Sequence, residues 1–124
     1  MAEVVPVRAK DALGIYGEDL AASHLSDAGL VLIQRNWRCR EGEIDILARD
    51  GEVLVVCEVK TRSSVAFGTP AEAVNQRKAA RLRRLAALWL QGSSAHFESI
   101  RFDVIAVLRH ADGSHTLEHL VGVL

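Results

Sequence analysis

Long apolar runs and a cysteine framework are both missing from this chain of 124 residues. The longest apolar run, Leu85 to Leu90, is far shorter than the ~20 residues that a bilayer span requires, and the N-terminus lacks the apolar core of a signal peptide. Cys39 and Cys57 form neither a Cys-x-x-Cys pair nor a secreted-type framework, which favours free or buried thiols over a zinc site or a disulfide. We therefore expect a soluble, cytoplasmic protein with no membrane association.

Signature motifs of several enzyme classes are missing as well. The chain has no Gly-rich phosphate loop, no Gly-x-Ser-x-Gly elbow and no His-Glu-x-x-His motif, which argues against nucleotide hydrolysis, esterase and zinc-protease activity. His110, His115 and His119 are spaced like metal ligands, but only a helix brings residues i and i+4 together, and this segment reads as a strand. We expect structural or exposed histidines there.

A large net charge of one sign is also absent, since the formal net charge is -1. This balance argues against nonspecific coating of nucleic acid, but positive charge is concentrated locally. The clustered basic residues are Arg35, Arg38 and Arg40 and, further along, Arg77, Lys78, Arg81, Arg83 and Arg84. With 49% apolar residues the chain can bury roughly two thirds of its unfolded surface, so we expect one domain, residues 1–124, with residues 1–12 as a loose N-terminal arm.

Apolar spacing predicts two helices and five strands. The first helix is expected over residues 13–28, ended by Gly29. A capping box at residues 69–72 begins a second helix, which either continues through Asn75 or restarts there, and ends at Gln91. Strands are expected at 30–36, within a hairpin at 42–60, and at 100–108 and 116–123. This succession predicts an α/β fold, a mixed five-stranded sheet flanked by helices in the order αβββαββ.

Charged residues interrupt what otherwise reads as a core hairpin. Residues 42–47 (Gly-Glu-Ile-Asp-Ile-Leu) lead through an Asp50-Gly51 turn to residues 53–60, which end in Glu58-Val59-Lys60. Strands are depleted in Asp, Glu and Lys, and a carboxylate removed from water must be paired or bound to a metal. The pattern therefore predicts a site within the hairpin.

The Asp-Gly turn sets the expected register of the hairpin. A two-residue loop at Asp50-Gly51 pairs Asp45 with Val56 and Glu43 with Glu58, which makes Asp45 and Glu58 diagonal neighbours about 7 Å apart, near enough to bind one cation. Side chains alternate between the two faces of a strand. One face is therefore expected to carry Glu43, Asp45, Val56, Glu58 and Lys60, and the other Ile44, Ile46, Val55, Cys57 and Val59.

Carboxylates so close together repel each other. At ~6 Å and an effective dielectric constant of about 20 the repulsion is roughly 3 kcal/mol, and Glu43 adds more than the single Lys60 offsets, whereas a divalent cation would reverse the sign. The alternative is a purely structural acidic face neutralised by Arg35, Arg38 or Arg49. An acid near the end of an apolar strand, an acid on the partner strand and a lysine on the same face together favour a functional site.

These residues resemble the PD-(D/E)xK nuclease superfamily, with Asp45 as the acid on the second strand and Glu58-Val59-Lys60 as the Glu-x-Lys motif. The chain is more closely similar to the YraN-like family of small bacterial proteins, itself similar to archaeal Holliday junction resolvases. The matching stretches, between residues 14 and 110, are Gly17-Glu18, Asn36, Gly42-Glu43-Ile44-Asp45, Glu58-Val59-Lys60-Thr61-Arg62, Ala73-Val74, Lys78 and Arg101-Phe102-Asp103. Cys57 stands where an aromatic residue is usual, and Asn75-Gln76 stands where Thr-Pro is usual.

The resemblance implies a restriction-endonuclease-like core with a metal-dependent nuclease site. All-oxygen ligands suit Mg²⁺ or Mn²⁺, so we expect Asp45, Glu58 and the Val59 carbonyl to hold the ion. Lys60 is expected to orient or deprotonate the attacking water, or to hold the phosphate. By resemblance, Glu18 reaches the metal or its water from the first helix; the alternative is that Glu18 only interacts with the helix dipole.

Nucleic acid, DNA in particular, is the partner that the resemblance implies. Residues expected to contact flanking phosphates without reading sequence are Arg62, Gln76, Arg77, Lys78, Arg81 and Arg84. The second helix is expected to pack through Leu82, Leu85, Ala86 and Trp89 and to expose its arginines, for which a solvated charged face is the alternative. Asp103 is expected to pair with an arginine rather than to bind metal. The resemblance further suggests a homodimer.

Three hypotheses about function follow. The first is a metal-dependent endonuclease that hydrolyses phosphodiester bonds in DNA, branched DNA included, and loses cleavage in Glu58→Ala. The second is a noncatalytic nucleic-acid-binding or adaptor module, whose salt-sensitive binding survives Asp45→Ala. The third and weakest is a purely structural or protein-interaction domain.

Overall fold

The computed structural model describes residues 11–63 and 75–124. The elements are α1 (Ala12–Asp27), β1 (Val31–Cys39), β2 (Gly42–Asp50), β3 (Val53–Arg62), α2 (Gln76–Gln91), β4 (Ser99–Arg109) and β5 (His115–Leu120). The predicted order αβββαββ is confirmed. The expected capping box at residues 69–72 and nearly all of the expected N-terminal arm lie outside the described residues.

The five strands form one mixed sheet in the order β1-β2-β3-β4-β5. β3 and β4 run parallel, and the other neighbours run antiparallel. A parallel pair needs a crossover connection, and the segment between β3 and β4 includes α2. The predicted mixed five-stranded sheet is therefore confirmed.

The sheet separates two apolar cores, one under each helix. On one face Ala21 and Leu25 of α1 pack against Ile46, Cys57 and Ile105. On the other face α2 packs through the predicted stripe. That stripe consists of Leu82, Leu85, Ala86 and Trp89. Burial of these two faces holds the helices on opposite sides of the strands that carry the charged residues.

A side chain caps the N-terminus of each helix. The Asp11 side chain caps α1 by accepting from the Gly14 N–H at 2.7 Å. The Asn75 side chain caps α2 by accepting from the Lys78 N–H at 2.8 Å. Of the two expectations for the second helix, a start at Asn75 agrees with the structure, because Asn75 is the N-cap of α2.

The predicted register of the β2–β3 hairpin is wrong by two residues. Asp50 pairs with Val53, so the loop is Gly51-Glu52 rather than Asp50-Gly51. Gly51 has a φ of 59° and takes the first position of the loop, where type II′ turns favour glycine. A slip of two residues preserves the expected faces, and the same register continued one residue beyond the last pair, Ile46–Cys57, sets Asp45 opposite Glu58 instead of Val56.

The predicted faces of the hairpin hold with one exception, Ile44. Val55, Cys57 and Ile46 lie in the core under α1, as expected, whereas Ile44 lies with Val56 in the core under α2. Strict alternation therefore breaks between Ile44 and Ile46, at the point where the β2–β3 ladder ends with the Ile46–Cys57 pair. This irregularity places Asp45 where β2 parts from β3.

In the part of the chain that the structure describes, no helix is long and apolar enough to cross a membrane. Both cysteines are free thiols: Cys57 is buried and Cys39 is half-buried.

Candidate active site where β2 parts from β3

Asp45 contacts the backbone of β3 beyond the last ladder pair. Its Oδ2 accepts a hydrogen bond from the Val59 N–H at 2.8 Å. In an extended strand the N–H and C=O groups of one residue point to the same side, so the Val59 carbonyl also faces β2. The structure therefore brings together Asp45 and Val59, two of the three predicted metal ligands, and the register puts Glu58 across from Asp45.

The Glu58 carboxylate is buried, and its two oxygens have different surroundings. Oε1 lies 3.2 Å from Lys78 Nζ and 3.7 Å from Lys60 Nζ. Oε2 is buried and accepts no hydrogen bond from any residue that the structure describes. A buried carboxylate oxygen is normally satisfied, so Oε2 is available to a ligand.

Lys78 belongs to the centre of the site rather than to the exposed phosphate-binding face to which sequence reasoning assigned it. Its side chain is only 14% exposed and contacts Glu58 from the first turn of α2. Burial lowers the pKa of Lys78, and neighbouring Lys60 lowers it further, while Glu58 acts in the opposite direction. Sequence reasoning assigned Lys78 only to flanking phosphates because nothing local shows that the start of α2 lies over β3.

The expected surplus of negative charge on this face is wrong as well. Glu43 forms an ion pair with Arg38, Nε to Oε2 at 3.2 Å, and so adds little to the charge near Glu58. Two lysines, not one, offset Glu58. The arginine alternative is confirmed in part: Arg38 neutralises Glu43, as that alternative expected, whereas Arg35 pairs with Glu18 rather than with Glu58.

Glu18 extends the site onto α1. It is 1% exposed, and its Oε1 accepts from Arg35 Nε at 3.0 Å and from Asn36 Nδ2 at 2.7 Å. Arg35 also contacts Asp19 at 2.7 Å, and both carboxylates raise the pKa of its guanidinium. The helix-dipole alternative is wrong, since Glu18 lies beyond the first turn of α1 and is buried against β1.

Asn36 connects Glu18 to the position of Asp45. It lies between the Arg35–Ile46 and Trp37–Ile44 pairs, and hence across from Asp45. Its φ is 54°, a left-handed conformation that asparagine tolerates better than most residues. Asn36 belongs to the stretches that carry the family resemblance, but the sequence does not predict a role for it. An asparagine inside a strand pattern was the available signal.

α1 packs closely against β3 at the end of the sheet that carries Glu58 and Lys60. A Cβ at Gly17 would lie 1.8 Å from Thr61 Oγ1, so only glycine permits the observed packing. Gly17 precedes Glu18, and Thr61 follows Lys60. The packing of α1 on β3 therefore brings Glu18 and the Glu-x-Lys strand to one end of the sheet.

The other predicted nucleic-acid contacts lie on α2, the helix that carries Lys78, and at the end of β3. Gln76, Arg77 and Arg81 are exposed on α2. Arg84 is exposed too, but it forms an ion pair with Glu41. Arg62 ends β3 and is half-buried.

Residues 11–63 and 75–124 contain no group of three or more His, Cys, Asp or Glu side chains placed to hold a metal ion. The predicted set is different in kind, because it consists of two carboxylates and one backbone carbonyl, with water completing the coordination.

Sequence comparison matches residues 17–107 to the family described as "Uncharacterised protein family UPF0102". A UPF0102 protein of Beutenbergia cavernae is 58% identical over 117 residues, covering 94% of this chain and 99% of that protein. One from a Nocardioides species is 55% identical over 114 residues, covering 92% of each chain. One from Frankia casuarinae is 55% identical over 116 residues, covering 94% of this chain and 98% of that protein. The matched range includes the whole site, from Glu18 to Lys78.

Proposed function

The chain belongs to the uncharacterised protein family UPF0102, and from its site we propose that it is a divalent-metal-dependent endonuclease hydrolysing nucleic-acid phosphodiester bonds. One observation carries the proposal: Glu58 is buried between two lysines, with Asp45 bonded to the next residue along the strand. The resemblance to PD-(D/E)xK nucleases supports it, since Asp45, Glu58 and Lys60 take the positions of that motif.

The donor atoms at the site fit Mg²⁺ or Mn²⁺. Glu58 Oε2 has no hydrogen-bond partner among the described residues. The Val59 N–H donates to Asp45, and in an extended strand the carbonyl of the same residue points to the same side, toward β2. These are hard oxygen donors, which suit Mg²⁺ and Mn²⁺ better than softer metals. When bound, the ion would supply Lewis acidity for the scissile phosphate and lower the pKa of a bound water.

The remaining side chains have roles that follow from their contacts. Lys78 holds Glu58 from α2 and thereby fixes the direction of the carboxylate. Lys60 is more exposed, at 37%, and is available to orient the attacking water or to hold a phosphate oxygen. Glu18, held by Arg35 and Asn36, faces the same corner from α1 and positions the water or the ion.

The substrate that we propose is DNA, branched DNA included. Arg77 and Arg81 are exposed on the helix that supplies Lys78 to the site, so phosphates flanking the scissile bond would meet positive charge. Contacts to phosphates position the backbone without reading its sequence. The preference for branched substrates rests on the similarity to Holliday junction resolvases.

A cleavage assay on four DNA forms tests the proposal. Branched, forked, single-stranded and duplex DNA are incubated with Mg²⁺ or Mn²⁺ and with the wild type, Glu58→Gln or Lys60→Met. We expect cleavage of at least one form, lowered by roughly 10²-fold or more in both variants, because removing one electrostatic contributor to a transition state typically costs that much. Arg49→Ala is the matched control, because Arg49 pairs with Leu54 near the turn of the β2–β3 hairpin, at the opposite end of β3 from Glu58.

Equal cleavage by the wild type and Glu58→Gln would contradict the proposal. Absence of cleavage together with salt-sensitive DNA binding that survives Asp45→Ala would favour the noncatalytic adaptor module instead.

A further inference from the structure

A second cluster of ionisable side chains lies away from the candidate active site. Asp103 on β4 is 0% exposed, and it accepts from the Arg101 guanidinium at 3.0 Å and from the Gly122 N–H at 2.9 Å. The expected pairing of Asp103 with an arginine is thus confirmed. Its Oδ2 also lies 2.7 Å from His119 Nε2. An arginine-paired carboxylate only accepts hydrogen bonds, so His119 carries its hydrogen on Nε2.

That tautomer leaves a lone pair on His119 Nδ1. This nitrogen lies 3.1 Å from Nε2 of His24, with the two rings nearly perpendicular at 83°. Two nitrogens that bind one metal ion at about 2.0–2.1 Å lie roughly 3.0–3.4 Å apart. The two imidazoles are therefore spaced like adjacent ligands of one ion.

We propose that His24 Nε2 and His119 Nδ1 bind one Zn²⁺ ion. The Asp103–His119 contact has the form of the carboxylate–histidine–metal arrangement, in which a carboxylate fixes the tautomer and orientation of the ligating ring. Two histidines supply two ligands, and water fills the remaining positions. The ligand type separates this site from the carboxylate site, since imidazole favours Zn²⁺ whereas all-oxygen ligands favour Mg²⁺.

Without metal, the same geometry is closed by a hydrogen bond from His24 Nε2–H to His119 Nδ1. Zn²⁺ takes the place of that hydrogen, which moves to Nδ1 of the His24 ring. His24 lies on α1 and His119 on β5, so the ion would cross-link the helix to the edge strand of the sheet. Because α1 also carries Glu18, metal binding would stiffen the helix that completes the candidate active site.

Zn²⁺ titration calorimetry on the full-length protein tests the site with matched variants. We expect one Zn²⁺ per chain in the wild type, binding at least 10-fold weaker in His24→Gln and in His119→Gln, and unchanged binding in His115→Gln. His115 is the matched control because it lies on the same strand and is exposed, with its ring against Tyr16. Asp103→Asn should weaken binding by about 10- to 100-fold, as carboxylate partners of ligating histidines do.

Thermal unfolding keeps the test decisive if a variant is destabilised. Zn²⁺ at about 100 times its Kd should raise the Tm of the wild type and of His115→Gln by roughly 10 °C and leave His24→Gln unchanged. Asp45→Asn should keep full Zn²⁺ binding, which separates this site from the carboxylate site. Absence of stoichiometric binding by the wild type, or equal binding by the wild type and both His24→Gln and His119→Gln, would overturn the proposal.

Discussion

At the scale of single residues, the candidate site depends on how two lysines share one carboxylate. Lys60 and Lys78 both approach Glu58 Oε1 and leave Oε2 without a hydrogen bond from the described residues. Removal of either carboxylate oxygen from water is costly unless it is compensated. The arrangement therefore satisfies one oxygen with protein charge and leaves the other for a ligand.

Lys78 should make stability depend on pH in the alkaline range. Its folded-state pKa lies below the ordinary value of 10.5, so between these two values the folded state binds fewer protons than the unfolded state. The free energy of unfolding should therefore rise with pH in that window, and this contribution should be lost as the pH falls through it. Lys78→Arg keeps its charge throughout and should lack the rise.

Urea unfolding of the wild type and Lys78→Arg across neutral to alkaline pH measures this effect. The difference between the two proteins cancels the contributions of all groups that they share. A difference that stays constant as the pH approaches 10.5 would contradict the prediction.

The two thiols should differ sharply in reactivity. Burial raises the pKa of the Cys57 thiol well above its usual range, and the nearby charges of Asp103, Asp45 and Glu58 raise it further. The thiolate is the reactive form, so Cys57 should stay unmodified in the native protein while half-buried Cys39 reacts. A thiol reagent should modify one cysteine per chain before unfolding and two after. Rapid modification of native Cys39→Ser would show that the prediction is wrong.

The site residues that the sequence predicts are those whose chemistry is unusual for their element. Acids and a lysine in an apolar hairpin are unusual enough to indicate Asp45, Glu58 and Lys60 from the sequence alone. The central position of Lys78 could not be inferred, because a lysine at the start of a helix is ordinary and its contact with Glu58 is set by packing across the sheet. Asn36 was missed as a site residue for the same reason, since its role depends on register and backbone conformation together.

At the scale of elements, the close packing of α1 on β3 depends on a single glycine. A Cβ at Gly17 would lie within 1.8–2.7 Å of three atoms of Thr61, whereas a Cβ at Gly92, the C-cap of α2, would meet nothing nearer than the Trp89 carbonyl oxygen at 3.7 Å. Glycine is intrinsically poor in a helix, so its presence in α1 has a packing reason.

Gly17→Ala should lower the free energy of unfolding by about 2–3 kcal/mol, even though alanine favours helices, because the helix must move away from β3. Gly92→Ala is the matched control and should change stability little. Denaturant unfolding measures both. Adding Thr61→Gly to Gly17→Ala should recover much of the lost free energy of unfolding. An unchanged free energy of unfolding in the Gly17→Ala single variant would contradict the packing argument.

Secondary structure was predictable because each element has a local signal. Apolar spacing and Asn75 indicated α2, and alternating or continuous apolar residues indicated the strands. The hairpin register was not predictable from the Asp50-Gly51 pair, because glycine can take either central position of a two-residue loop. The observed loop puts Gly51 first, and the pairing shifts by two residues.

At the scale of the whole molecule, the sheet separates two clusters of ionisable side chains. The face under α2 carries Lys78 and exposed arginines, and the face under α1 carries the His24–His119 pair. The near-zero net charge of the chain therefore conceals a local excess of positive charge on α2. The order of helices and strands along the chain followed from apolar spacing, but the contacts between distant faces did not, because they depend on long-range packing.

The α2 face should dominate the salt dependence of DNA binding. Arg77→Ala combined with Arg81→Ala removes two exposed charges and should reduce the slope of log K against log salt by about 2. Arg49→Ala removes a charge near the turn of the β2–β3 hairpin, where the Arg49 guanidinium lies 4.1 Å from the Phe97 ring centroid, and should leave the slope unchanged. Fluorescence anisotropy with labelled DNA in the presence of a chelator measures the slopes. Equal slopes for the wild type and all variants would show that DNA does not bind along α2.

The central claim is that a divalent metal ion binds between β2 and β3. Its most direct test is calorimetric titration of the wild type and Asp45→Asn with Mn²⁺. Asparagine retains an oxygen for the Val59 N–H, so the fold should survive while the charge near Glu58 changes. The wild type should bind Mn²⁺ saturably, and Asp45→Asn should bind it at least 10-fold more weakly with little change in Tm. Equal affinity in the two proteins, or no binding by the wild type, would contradict a metal-dependent site between β2 and β3.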